Sequence, residues 1–378
     1  MPHELVDFAA SKTEALIGFL EELVAIESPT DNPSGVERAQ SLLASRFQDA
    51  GAQVELLPGR EGLGPHLLAR TGEGRAQVLV IGHVDTVWPM GTLARMPYRR
   101  DGERIAGPGI YDMKGGIALI WQALAGLREL GRQGASRLTI LITSDEEVGS
   151  PTSRRLVEEL ARESKAVLVF EPGVLPAGAV KTARKGVGLF KLKVSGKAAH
   201  AGNDPERGRS AIYELARQIA KLEALTDRDS GVSVNVGVIR GGTRPNVVAA
   251  EAEADIDLRV ATMAQAMALE HAILGLEPIG ADVRVEVSGG LNRPPMERSA
   301  HVAELYEQVR GLAEGIGIEL PDTAVGGGSD GNFTAALGVP TLDGLGVVGA
   351  GAHADHEHIR VSHLANRLAL TMRLFEAL

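Results

Sequence analysis

Three short runs constrain this chain more than anything else in it. VLVIG (78–82), LTILI (138–142) and AVLVF (166–170) are continuously apolar. A strand without polar alternation is covered on both faces, as in a sheet sandwiched between helices. Helical patterns lie between the runs: Lys114 to Leu130, opened by Gly-Gly, and TSRRLVEELAR (152–162). Two more, Thr13 to Ser28 (stopped by Pro29) and Gly35 to Ala50, come earlier. QVELL (53–57) and HLLAR (66–70) read as further strands. The alternation predicts an α/β fold with helices on both sides of the sheet.

Near residue 182 the pattern changes. VGLFKLKVSG alternates like a half-exposed strand, and Ser210 to Leu225 reads as a helix. VSVNVGVIRGG and VAAEAEADIDLRVA are strands, AQAMALEHAILGL is a helix, and DVRVEVSGG is a strand again. That order is a split βαβ arrangement of about a hundred residues. Helical patterns return at 299–315 and 362–378. A small α+β domain inserted into a larger α/β one is the expected organisation.

Composition excludes several partners. Aromatics are 3% of the chain, so nucleobase stacking is disfavoured, and a net charge of -10 argues against nucleic acid. No apolar run reaches the 18 residues a membrane span needs. MPHELVDFAASKTE lacks the basic flank and apolar stretch of a signal peptide, and a cytoplasmic location is expected. There is no cysteine, so any metal must be held by His, Asp and Glu.

Such residues collect at the ends of the apolar runs. VLVIG leads into His83-Val84-Asp85, LTILI into Glu146-Glu147, and AVLVF into Glu171. Open α/β sheets take their ligands at the carboxyl ends of strands. His83 reads either as a metal ligand, with Asp85 accepting its other N–H, or as a hydrogen-bonded histidine. Asp112, in GPGIYDMKGG, reads as a ligand or as a helix cap. GAGAHADHEHIRVSH holds His353, His356, His358 and His363, an exposed loop from which at least one histidine could complete a site. Two imidazoles with surplus carboxylates suit zinc, with cobalt or manganese possible, and two ions sharing a bridging acid. Cations also explain the adjacent glutamates, since they stabilise carboxylates that would otherwise repel.

GHVDTV, GPGIYDMKGG, TSDEEVGS, FEPG, GKAAHAG, RPNVV and GGGSD occur in this order. Each is weak alone; together they resemble the zinc exopeptidase family of aminoacylases, succinyl-diaminopimelate desuccinylase, peptidase T and bacterial glutamate carboxypeptidases. The likeness spans roughly residues 14 to 378 and is strongest to the branch that cleaves glutamate from folates. It implies a catalytic domain at 1–181 and 292–378 with a mixed central sheet, and a dimerisation or lid domain at 182–291.

The resemblance further implies two Zn²⁺ per chain. His83 and Glu171 would hold one, Glu147 and His353 the other, and Asp112 would bridge them beside a cis peptide to Met113. Asp85 would orient His83, and Glu146 would be the general base. His200 would reach the active site of a homodimer partner and polarise the scissile carbonyl. Asn246, Arg259 and Gly328 would contact substrate, Arg259 as a carboxylate clamp. His356 rivals His353, whose choice rests on the preceding GAGA and on Glu357 four residues later. Lys181, Arg184, Lys185 and Arg293 are either specificity residues or ordinary solvated charge. The implied reaction releases a C-terminal amino acid, glutamate first, from a small peptide or N-acyl amino acid. A deacylase or dipeptidase with the same machinery is the alternative, and a catalytically silent scaffold the remaining one.

Overall fold

The computed structural model describes residues 2–74 and 76–378. They divide into two compact units. The first takes in the chain up to Ala183 with Arg298–Ala324 and Ser329–Leu378; the second is Arg184–Glu297 with Val325–Gly328.

The first unit is α/β. Its strands β1 (Gln53–Leu57), β2 (His66–Thr71), β3 (Gln77–His83), β4 (Arg137–Thr143) and β5 (Ala166–Val169) form a mixed sheet with the short strand Thr341–Leu342. The spatial order is β1-β2-β4-β3-β5, then Thr341–Leu342. β4, β3, β5 and Thr341–Leu342 run parallel, while β2 is antiparallel to β1 and β4. β3 is buried at every position, so its apolar run serves two cores. Val78 and Val80 join Leu16, Leu20, Ile117, Leu368 and Phe375 on one face. Leu79 and Ile81 join Val157, Leu160 and Phe333 on the other. Truncating Ile81 to Ala would cost about 2–5 kcal/mol, from lost burial and the cavity left in a packed core.

The helix expected over Thr13 to Ser28 stops at Val24. The following residues are drawn into tertiary hydrogen bonds: the Ile26 carbonyl accepts from Lys114 Nζ, and Ser28 Oγ donates to the Val84 carbonyl. A helix over Pro2–Ser11 went unforeseen. So did a ribbon of very short strands, Arg99–Asp101, Arg104–Ala106, Gly349–Ala350 and His358–Arg360. Segments of two or three residues show no periodicity to read.

The second unit has strands β6 (Gly186–Ser195), β7 (Ser233–Gly241), β8 (Glu251–Val260) and β9 (Arg284–Arg293) in the order β7-β8-β6-β9, all antiparallel. Helices Ala211–Glu223 and Met263–Leu274 interrupt them in the order β6, helix, β7, β8, helix, β9. β8 alternates buried and accessible residues, as a sheet covered on one face requires. Among the described residues no helix is long and apolar enough to cross a membrane.

Candidate metal centre

β4, β3 and β5 are neighbours and parallel, so their carboxyl ends open side by side. His83 is the last residue of β3, Glu146 and Glu147 follow β4 in a single helical turn, and Glu171 lies two residues beyond β5. The ribbon supplies the rest. Pairing of His358 with Ala106 and Ile359 with Ile105 carries the 351–357 loop to the 107–114 segment. Histidine and aspartate from opposite ends of the first unit meet there.

Asp112 is the hub. His83 Nε2 lies 3.1 Å from Asp112 Oδ1 and 3.4 Å from Glu171 Oε1. His353 Nε2 lies 3.4 Å from Asp112 Oδ2 and 3.2 Å from Glu147 Oε2. Donor atoms of His83, Asp112 and Glu147 fall within 4.8 Å of one another. The Asp112–Met113 peptide is cis. Asp112 caps no helix: the next one begins at Gly115, with Lys114 at its cap position.

So much negative charge in a buried place needs a counterweight. Burial lowers the His83 pKa, but Asp112, Asp85 and Glu171 together outweigh it and hold the ring well above its ordinary value. His353 is pushed up to about 10 by hydrogen bonds to Asp112 and Glu147. Burial raises Glu147 to about 7, while the two imidazoles overcome burial at Asp112 and hold it well below the carboxylate range. Protons thus fill the role that cations would fill. Glu147 Oε1 is buried without a hydrogen-bond partner among the described residues, an acceptor aimed at nothing the protein provides. Imidazole and carboxylate donors with one orphaned oxygen fit hard or borderline divalent ions such as zinc.

The supports around the centre are buried carboxylates. Asp85, expected to orient His83, has its backbone carbonyl 3.0 Å from Nδ1 and its carboxylate at 3.5 Å. That carboxylate instead accepts from Thr30 Oγ1 (2.7 Å) and from the amides of Glu146 (3.3 Å) and Glu147 (3.1 Å). Asp85 thus meets the ring through its carbonyl and the turn through its carboxylate. Glu357, fully buried, accepts from the amides of Gly109, Tyr111 and Asp112 and from Trp88 Nε1, at 2.7–3.0 Å. Its real work is to hold the loop that carries Asp112. An acid inside HADHEH offers no periodic signal by which that could be foreseen.

His356 is exposed and faces Asp355, not the centre. His358 contradicts the exposed-loop reading: it is buried in the ribbon, with Nδ1 against the His356 carbonyl.

His200, Asn246, Arg259 and Gly328 belong to the second unit. There His200 and Asn246 are neighbours: His200 bridges to Val247, and the Ala201 amide donates to the Asn246 carbonyl (3.0 Å). His200 is exposed, and its Nδ1 accepts from the amides of Gly202 and Asn203, 3.1 Å each. The neutral ring therefore carries its proton on Nε2. Arg259 is engaged by Asp257 through two hydrogen bonds of 2.8 and 2.9 Å. Gly328 leaves no room for a side chain, since a Cβ would come within 2.9 Å of Arg293 Cδ. The solvated-charge reading of the basic residues fails for Lys181, Arg184 and Arg293, which are all buried. Arg184 donates to the Gly327 and Gly328 carbonyls, 3.0 Å each.

A carboxylate and imidazole cluster at the open end of parallel strands is the equipment of a metal-dependent hydrolase. Comparison with known proteins narrows the class. The model of peptidase family M20/M25/M40 matches residues 79–377, and the chain belongs to that family. Carboxypeptidase G2 of Pseudomonas sp. (strain RS-16) is 31% identical over 98% of this chain and 91% of its own length. Succinyl-diaminopimelate desuccinylase of Stenotrophomonas maltophilia (strain R551-3) is 30% identical over 96% and 99%. Among solved structures, aminopeptidase PepT of Bacillus cereus ATCC 10987 superposes with a TM-score of 0.76 at 26% identity, covering 96% of this chain and 98% of that one. The chain is an M20-family metallopeptidase or amidohydrolase.

Proposed function

We propose that this enzyme holds two zinc ions and releases a C-terminal amino acid, glutamate foremost, from small peptides or N-acyl amino acids. The observation that carries the two-ion reading is the division of Asp112: one oxygen faces His83 and Glu171, the other His353 and Glu147. A carboxylate whose two oxygens face separate donor sets would be placed to hold two ions. When bound, the ions would polarise the scissile carbonyl and make a water molecule acidic enough to attack. His83 keeps its Nδ1 proton on the Asp85 carbonyl, which leaves the Nε2 lone pair for a metal. Glu146 removes the proton from the attacking water and returns it to the leaving nitrogen. Its backbone amide is held by Asp85, and its charge acts on His83.

The insert, residues 182–291, serves as the dimerisation domain in this reading. Its strand β7 is a sheet edge with Val238 and Ile239 exposed, and Ile212 and Tyr213 stand exposed on a helix of the same unit. Unpaired edges and apolar side chains invite a second copy. His200 is exposed, and with Nδ1 taken by two amides its Nε2 is suited to donate to the oxyanion forming in the partner's site. Glutamate preference is supported by the likeness to carboxypeptidase G2. The likeness to desuccinylases over nearly the whole chain favours an N-acyl amino acid deacylase as the second reading.

Elemental analysis of the purified chain with a panel of N-acyl-glutamates, N-acetyl amino acids and dipeptides tests both. About two ions per chain and turnover concentrated on C-terminal glutamate is the expected result. One ion or none sinks the two-metal mechanism, and preference for another acyl amino acid selects the second reading.

A further inference from the structure

The turn that carries Glu146 and Glu147 is short and closes on two left-handed residues, with the Ser150 amide donating to the Asp145 carbonyl at 2.8 Å. Glu146–Val148 is one turn of 3-10 helix, and Gly149 (φ 92°) and Ser150 (φ 58°) both adopt left-handed backbone conformations. A left-handed serine persists only where its surroundings dictate it. Asp330, in the GGGSD motif, adds a side-chain tie to the backbone bonds that hold Ser150. Its Oδ1 accepts from Ser150 Oγ at 2.5 Å and its Oδ2 from Thr143 Oγ1 at 3.2 Å. Thr143 ends β4 and Ser150 follows the turn, so one carboxylate ties both ends of the segment. All three residues are buried. Asp330 also stands at the cap position of the helix Gly331–Ala336, where an aspartate ordinarily satisfies its own helix. Here it makes no cap bond, and Ser329 Oγ takes the Gly331 amide instead. The carboxylate thus bonds both ends of the turn, and in so dry a place such charge-assisted bonds are strong.

We propose that Asp330 is a positioning residue that sets the Glu146–Glu147 turn, and through it the placement of a metal-binding carboxylate and of the base. The inference rests on the assignment of Glu147 and Glu146 made under Proposed function.

The test compares Asp330→Ala, Asp330→Asn, Ser150→Ala and Ser150→Gly, with Glu147→Gln as reference, all in the full chain. Three things are measured: zinc affinity by chelator competition, the visible spectrum after cobalt substitution, and kcat and KM separately. Asp330→Ala should weaken binding of the ion that Glu147 would hold about 10–100-fold and alter the cobalt spectrum. It should lower kcat while KM stays within about twofold. Asp330→Asn keeps the shape and one acceptor and should recover part of the loss. Ser150→Gly should be milder than Ser150→Ala, because glycine takes a positive φ without strain. If Asp330→Ala does not fold, Asp330→Asn and the Ser150 pair carry the same readings. Wild-type affinity, spectrum and kcat in the Asp330 variants, beside metal loss in Glu147→Gln, overturns the inference alone. Full metal retention in Glu147→Gln overturns the ligand assignment and the inference with it.

Discussion

The two units treat their polar residues in opposite ways. In the first, side chains from four separate segments, those of His83, Glu147, Glu171 and His353, gather around Asp112, and carboxylates buried behind them, Asp85 and Glu357, fix the backbone that carries them. In the second, His200 is satisfied by the next turn of its own loop and Arg259 by a residue two positions away on its own strand. The first arrangement costs a great deal of charge burial and is finished within one chain. The second costs little and leaves groups facing outward. A metal centre needs the former, since ligands must be in place before the ion arrives; a group that meets substrate or a partner can be built the latter way.

The largest way to break this contrast is at the hub. Asp112→Ala should empty both metal positions and reduce hydrolysis to background, while His356→Ala leaves both intact; elemental analysis with turnover checks each. Retention of one tightly held ion in Asp112→Ala would show that the two positions do not share it. Next comes Glu146→Gln, which should keep its metal yet turn over about a hundredfold more slowly or worse, as expected for a lost general base. His353→Ala should lose one ion of the two and keep the other, since His83 and Glu171 remain.

The outward-facing residues predict a recovery. His200→Ala and Glu146→Gln, each nearly inactive, should regain activity when subunits exchange, because a hybrid dimer has one site with both groups whole. Proven exchange without recovery would confine His200 to its own chain.

The smallest effect is one of pH. Without metal, His353 sits at about 10, above its ordinary 6.5, and Glu147 at about 7, above 4.5. Both raised values mean that the folded state holds protons the unfolded state gives up. The stability they supply is whole at low pH and is lost as pH rises, through about 7 for Glu147 and about 10 for His353. Metal binding displaces the same protons and favours the opposite direction. The gap in Tm between metal-loaded and metal-free protein should therefore widen from pH 6 to pH 9. A gap that narrows would mean that other groups hold the protons.

Much of this was legible in the sequence because strands have a simple grammar. VLVIG, LTILI and AVLVF give away the sheet, and the residues just past each run fall where the sheet opens. The alternation in β6 and β8 gives away a one-sided sheet in the same manner. Glu357 and Asp330 escaped because their effect depends on which amide or hydroxyl lies across a gap of many residues, and nothing in local spacing encodes that. The ribbon that delivers His353 escaped for the related reason that two-residue strands have no period. Arg184 and Arg293 show the limit of reading charge as solvation: buried arginines look like surface ones until the fold is known.

The ribbon has a consequence for the life of the chain before it is complete. His83 and His353 are separated by most of the polypeptide, and they meet only through the pairing of His358–Arg360 with Arg104–Ala106. On the ribosome, every other member of the metal cluster has been made long before that strand exists. A nascent chain would have a sheet, a hub and half a metal site, with no means of gathering the rest. On the reading proposed above, the centre is therefore not complete until that last strand of the ribbon has been made and paired.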